Sequence, residues 1–159
     1  MKIEFGCGAN SKRVGYKTCD IRNLPGVDFV CAAWEIDQYI TKDSVSEIYS
    51  RHFFEHLTFA QGRKLLSVWY DILKPRGICI MVVPDMDFHV RQWVNKRDMD
   101  HATAGFWGWQ RDGDTEDWDV HKSGYNYETL SQLIKESKFV NCSRVETKPA
   151  HLEVKFFKP

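Results

Sequence analysis

The chain has 159 residues, of which 43% are hydrophobic, and its 22 Lys and Arg balance 22 Asp and Glu. That length holds one domain around a single buried core, with little room for a separate substrate domain, so a substrate site must be built from loops. With no net charge there is no global field to draw in nucleic acid or an anionic membrane, and neither is expected as a partner.

A short apolar strand over 2–6, carrying Ile3 and Phe5, runs directly into Gly6-Cys7-Gly8-Ala9-Asn10, and the next strand, 16–20, ends on Asp20. Glycines let backbone approach a ligand without a Cβ in the way, and an acid at the next strand's tip accepts hydrogen bonds from ribose hydroxyls. A G-x-G between strands also serves as a plain turn. A dinucleotide fingerprint requires a third glycine where this chain has Ser11, which argues against a nicotinamide cofactor. The Gly8–Tyr16 connection is too short for a full crossover helix, so the first helix is expected to be rudimentary or missing.

Further on, the pattern predicts a strand over 27–32, a short helical piece near 34–40 and a strand over 45–50. A helix over 59–73 opens with Thr58 and Gln61 in capping-box positions and repeats Leu65, Leu66, Trp69, Ile72 and Leu73 along one face; Lys74-Pro75-Arg76-Gly77 stops it. Ile78–Val83 is an unbroken apolar run, as a central strand covered on both faces should be, within a strand over 77–83. Then come a helix over 86–97, an irregular stretch to about 124, a helix over 127–138, and strands over 142–147 and 152–157. Lys148-Pro149 turns the chain between those last strands, which are expected to pair antiparallel; alternation of Leu152, Val154 and Phe156 with Glu153 and Lys155 implies one wet face or a subunit contact. Strands separated by helices make an α/β fold with a mostly parallel sheet.

Cys7, Cys19, Cys31, Cys79 and Cys142 never form C-x-x-C, and four of them lie in or beside apolar runs. This reads as buried reduced thiols in a cytoplasmic protein rather than a disulfide framework or a zinc site. Met1 leads straight into a strand, and the chain shows neither a signal-peptide pattern nor a long apolar run.

The glycine loop, the run Ser44-Val45-Ser46-Glu47-Ile48 … Glu55-His56-Leu57, the turn Leu73-Lys74-Pro75-Arg76-Gly77 and Val83-Pro84-Asp85 together resemble the ordered motifs of a small family of class I S-adenosylmethionine (SAM)-dependent methyltransferases. The resemblance covers residues 3–85 and, weakly, His121-Lys122-Ser123-Gly124-Tyr125. It implies a Rossmann-like three-layer α/β/α fold over the whole of 1–159, with an antiparallel C-terminal strand pair, and SAM as cofactor. It also implies that Gly6, Cys7, Gly8 and Asn10 surround the methionine part, that Asp20 accepts from the ribose and Ile21 packs on the adenine, and that Ala32, Ala33 and Trp34 flank the base. Arg51 and His52 would lie nearest the sulfonium. Two features depart from the pattern: Ala32 and Ala33 stand where many relatives carry an acid for the adenine amino group, and Arg76 replaces a turn glycine.

Methyl transfer needs donor and acceptor held in line and at most one proton removed, and histidine suits that proton. His52 and His121 are the candidate catalytic bases, with His56 beside them. His52, Glu55 and His56 also have a spacing that could bind a metal, but the Glu55-His56 pair is explained by the family pattern, and no metal is assigned. The segment 100–125, with Trp107, Trp109, Trp118 and many acids, is expected to be a lid or acceptor loop, its tryptophans facing an acceptor or anchoring the loop. The expected acceptor is a small molecule, with a sugar favoured by analogy, and a second copy of the chain is a candidate partner. The rival functions are a non-catalytic SAM- or nucleoside-binding module and a metal-dependent hydrolase using His52, Glu55 and His56.

Overall fold

Ile3, Glu4 and Phe5 are all essentially inaccessible to solvent, so the first strand is covered on both faces and must lie inside a sheet rather than at its edge. The computed structural model describes residues 1–9, 13–111 and 117–159 and places that strand, β1 (Lys2–Phe5), in the middle. Around it lie β2 (Lys17–Asp20), β3 (Phe29–Val30), β4 (Val45–Arg51), β5 (Leu73–Pro84), β6 (Val140–Val145) and β7 (His151–Phe157), in the order β3-β2-β1-β4-β5-β7-β6. The pairs along β3-β2-β1-β4-β5 are parallel, whereas β7 runs antiparallel to both β5 and β6. The chain leaves β1 for β2 on one side and later returns to β4 on the other; this reversal opens a crevice at the strands' carboxyl ends.

The helix α1 (Phe59–Ile72) starts on a complete capping box, with the Thr58 hydroxyl accepting from Gln61 and the Gln61 side chain accepting from the Thr58 amide. Its buried stripe places Trp69 against Phe5 and Phe54, at ring-centroid distances of 5.1 and 6.3 Å. On the opposite edge, α4 (Tyr127–Glu136) buries Leu130, Leu133 and Ile134 beside β6. In β7, Leu152, Val154 and Phe156 are fully buried while the alternate residues are partly exposed, so the alternation marks one half-wet face of an interior strand.

The stretch after 97 departs from expectation. Residues Met99–Trp107 form a helix, α3, capped by Asp98, whose side chain accepts from the His101 amide, and packed on α2 (Met86–Val94). Its contact face is Ala102, Ala104 and Gly105, too small to write an apolar stripe into the sequence. A Cβ on Gly105 would come within 2.2 Å of the His89 ring, which is how closely the helices approach. α2 ends at Val94, earlier than expected, because Lys96 and Asp98 adopt left-handed backbone. Between β1 and β2 no helix occurs among the described residues, as the short connection required. No helix among the described residues is long and apolar enough to cross a membrane.

Candidate functional site

Gly6 leaves β1 with φ +65°, and a Cβ there would stand 2.5 Å from Phe53 atoms, so only glycine allows the turn and the Phe53 ring to coexist. Gly8 is also left-handed, at φ +61°, which aims its N–H at Asp20 Oδ2, 2.8 Å away. A Cβ on Gly8 would meet only the Arg22 guanidinium, at 3.4 Å. The glycine loop and the tip of β2 are thus joined by a backbone-to-carboxylate bond that also holds Asp20 in place.

These strand ends border a cavity of about 240 Å³. Gly6, Asp20, Ile21, Ala32, Ala33, Trp34 and His52 all line it, each just beyond the carboxyl end of a strand. Cys7 and Gly8 do not: the Cys7 side chain is buried and its Sγ donates to the Gly8 carbonyl, while Gly8 turns its N–H onto Asp20. Arg51 is exposed and faces neither this cavity nor the next. Asn10 lies outside the described residues. The side chains of Phe53 and Trp118, absent from the sequence-based set, close the cavity's sides.

Arg22 was also missed, and it matters most. Its Nε and Nη2 donate to Asp20 at 3.1 and 3.3 Å, and its backbone N–H adds a bond of 3.0 Å. Burial pushes the Asp20 pKa up, but the bonds from Arg22 and Gly8 outweigh it and hold the carboxyl below its ordinary value. The signal was a basic residue two positions after the strand-tip acid, the spacing of a local side-chain pair.

A second cavity of about 300 Å³ adjoins the first and shares His52, His56 and Asp119 with it. All six histidines of the chain, His52, His56, His89, His101, His121 and His151, line it. His52, at φ +48°, donates from Nδ1 to Glu55 Oε1 (3.2 Å), and its ring meets His151 edge-on at 4.7 Å. His121 sits in this second cavity, its Nδ1 donating to the Gly105 carbonyl at 3.0 Å. Burial pushes His89, His121 and His151 below the ordinary histidine value, His151 to about 4, so these rings are neutral at neutral pH.

Glu55 anchors the roof of this cavity as well as its floor. Its carbonyl accepts from the Lys122 and Ser123 amides, at 2.8 and 3.1 Å, while the His121 amide donates to Trp107. The described part of the 100–125 segment is therefore docked on the core. Trp109 lines the second cavity and Trp118 the first, each still partly exposed, whereas Trp107 packs on Trp93 and Phe106. Asp85, of the Val-Pro-Asp motif, caps α2 and pairs with Arg144 at 2.5 Å, a structural duty.

The sheet order, the antiparallel β7 and the crevice define the Rossmann-like fold of SAM-dependent methyltransferases. Among solved structures, the chain is similar to a SAM-dependent methyltransferase from Archaeoglobus fulgidus, with 14% identity over 99% of this chain and 85% of that one and a TM-score of 0.65. It is similar also to one from Thermotoga maritima, with 13% identity over 99% and 82% of the two chains and a TM-score of 0.70. A third is the Burkholderia thailandensis 1,6-didemethyltoxoflavin-N1-methyltransferase, solved with its 1,6-didemethyltoxoflavin and S-adenosylhomocysteine, at 14% identity over 99% and 70% and a TM-score of 0.63. At such identities the likeness is one of fold. No family model and no curated protein matches the sequence.

Proposed function

We propose that the chain binds SAM in the first cavity and transfers its methyl group to a small polar acceptor in the second. The observation that carries this reading is the convergence of Gly6, Asp20, Ala32–Trp34 and His52 on one cavity that opens, through His52 and His56, into another.

The residues fit an adenosyl compound on chemical grounds. Asp20 is an ionised acceptor for ribose hydroxyls, Gly6 brings bare backbone to the cavity wall, and Ile21 and Trp34 offer apolar surface to a purine. A carboxylate has about four acceptor positions, and Gly8 and Arg22 between them use these. The ribose hydroxyls would therefore take the places held by the Arg22 side chain. The bond to Asp20 is what chiefly raises the Arg22 pKa, and Asp119, itself paired with Arg111 at 2.7 Å, adds a smaller push and offers the displaced guanidinium a nearby carboxylate.

When bound, SAM supplies a methyl group on a cationic sulfur, already activated for displacement. The chain's own residues then have two tasks, alignment and proton removal. With Glu55 Oε1 as the acceptor, His52 carries its proton on Nδ1, which leaves Nε2 with a lone pair. A base oriented by a carboxylate at the junction of donor and acceptor cavities is suited to take the acceptor's proton. His121, with Nδ1–H committed to a carbonyl, presents Nε2 as an acceptor deeper in the second cavity.

Calorimetry with SAM and S-adenosylhomocysteine, alongside transfer of labelled methyl to a panel of polar acceptors, tests the reading. Asp20→Ala should weaken SAM by about 1–3 kcal/mol, since the ribose loses a charged acceptor. Unchanged affinity in that variant would mean that the nucleoside lies elsewhere, and binding without transfer to any acceptor would favour a non-catalytic module.

A further inference from the structure

We infer that Glu55, His56 and His121 hold one divalent transition-metal ion, of the zinc class, at the wall of the histidine-lined cavity. One donor atom from each of the three residues lies within 4.8 Å of the other two. Donors bonded to a single ion at about 2.1 Å stand about 3 to 3.5 Å apart, so small side-chain rotations close the set.

The hydrogen bonds point the same way. His56 Nδ1 donates to the Val120 carbonyl at 3.1 Å and His121 Nδ1 to the Gly105 carbonyl at 3.0 Å. A carbonyl only accepts, so each ring carries its proton on Nδ1 and keeps a lone pair on Nε2. This is how metal-binding histidines are generally oriented, through a bond from the other nitrogen.

Glu55 supplies the charge. Its side chain is 1% exposed, Oε1 accepts from His52, and Oε2 is buried without a hydrogen-bond partner among the described residues. A buried carboxylate oxygen left unpaired is costly, and a cation bound there removes the cost. His52 falls outside the ligand set because its Nδ1 serves Glu55 and its ring packs on His151, although the sequence places it one helical turn from His56. The fold recruits His121 from 65 residues beyond His56 instead, through the 117–123 segment bonded to Glu55.

Two imidazoles and one carboxylate select zinc-like or iron-like divalent ions over magnesium and calcium, and leave coordination positions open. All three side chains border the cavity of about 300 Å³, so the open positions face it. This much stands without the methyl-transfer reading. On that reading, which this last step rests on, the open position takes an oxygen of the acceptor, which makes the acceptor class a hydroxyl or carboxylate compound.

The test uses the full chain, stripped by a chelator and then titrated with Zn²⁺ and Co²⁺. One equivalent should bind, and Co²⁺ should develop visible absorption of a nitrogen- and oxygen-ligated site. Glu55→Gln and His121→Ala should each weaken Co²⁺ at least tenfold; because Glu55 is buried, circular dichroism and thermal melting must show that the partly exposed His121→Ala variant remains folded. Asp20→Ala should bind Co²⁺ like the parent while losing SAM affinity, so failure of the metal site and failure of the cofactor site are read separately. The inference is overturned if the parent retains no metal, if both ligand variants bind it unchanged, or if it is lost only in His89→Ala or His101→Ala.

Discussion

The two cavities share a wall but are built in opposite ways. Around the first, Gly6, Asp20, Ala32 and His52 each lie at or just beyond the carboxyl end of a strand, so sheet pairing brings them together. Around the second, the histidines come from the turn after β4, from α2 and α3, from the segment before α4 and from the start of β7. The first cavity takes its strand-end wall from the sheet core and only its rim, Asp117, Trp118, Asp119 and Lys122, from the 117–123 segment, whereas nearly all of the second cavity's lining depends on how the helical layer and that segment dock.

Alanine at two glycines should separate these regimes. At Gly6 the new Cβ meets Phe53 at 2.5 Å in a left-handed backbone, where Phe53 packs against the core. Overpacking and backbone strain together should cost about 3 kcal/mol of global stability in urea unfolding. At Gly108, φ +79°, the Cβ falls 1.7 Å from the Asp119 carbonyl oxygen, and the chain can escape by releasing the 117–123 segment. Here the expected signature is faster hydrogen exchange at the His121, Lys122 and Ser123 amides, with a global loss nearer 1 kcal/mol. Equal global losses would abolish the distinction between the cavities.

Acid should act on the two cavities in different windows. His89, His121 and His151 have folded pKa values below the unfolded one, near 6.5, with His151 at about 4. Because the unfolded chain binds protons first, their stabilisation is complete above about pH 6.5 and is lost as pH falls toward about 4. Asp20, also lowered, acts only below its unfolded value near 3.8. Thermal melting against pH should therefore show a first decline between about 6.5 and 4, which His151→Gln flattens by about 1 kcal/mol after discounting for its partial exposure. Asp20→Asn should leave that decline intact. A decline unaltered in His151→Gln would show that this ring is not held neutral by the fold.

The same contrast decides what was legible in the sequence. The Thr58/Gln61 capping box, the apolar run of β5 and the Gly6–Asp20 constellation are local patterns, and the structure places each where its spacing implies. α3 was not legible because it packs through alanine and glycine. The histidine cavity was hidden for a related reason: His56 and His121 meet with ring centroids 5.1 Å apart only because the Glu55 carbonyl holds the Lys122 and Ser123 amides. No spacing along the chain encodes that contact. Glu55 was legible only with His52 and His56 as a metal-spacing pattern; its burial and its approach to His121 were not.

The smallest effect tests whether strain at the junction of the cavities differs from strain at an exposed strand position remote from them. His52 and Arg76 are both left-handed without being glycine, at φ +48° and +64°. Arg76 is exposed, and its amide donates to the Lys158 carbonyl at 3.1 Å. Arg76→Gly retains that bond and relieves the Cβ clash, so it should stabilise the fold by about 0.5–1 kcal/mol in urea unfolding, the gain being trimmed by glycine's extra freedom when unfolded. His52→Gly relieves the same clash but removes the donor to buried Glu55 Oε1, which costs about 1–3 kcal/mol, so the net change should be destabilising. Opposite signs at two residues of like backbone would identify His52's strain as one maintained by its partner, the pattern expected where geometry serves a site; a gain at both would reduce it to local strain with no bearing on the site.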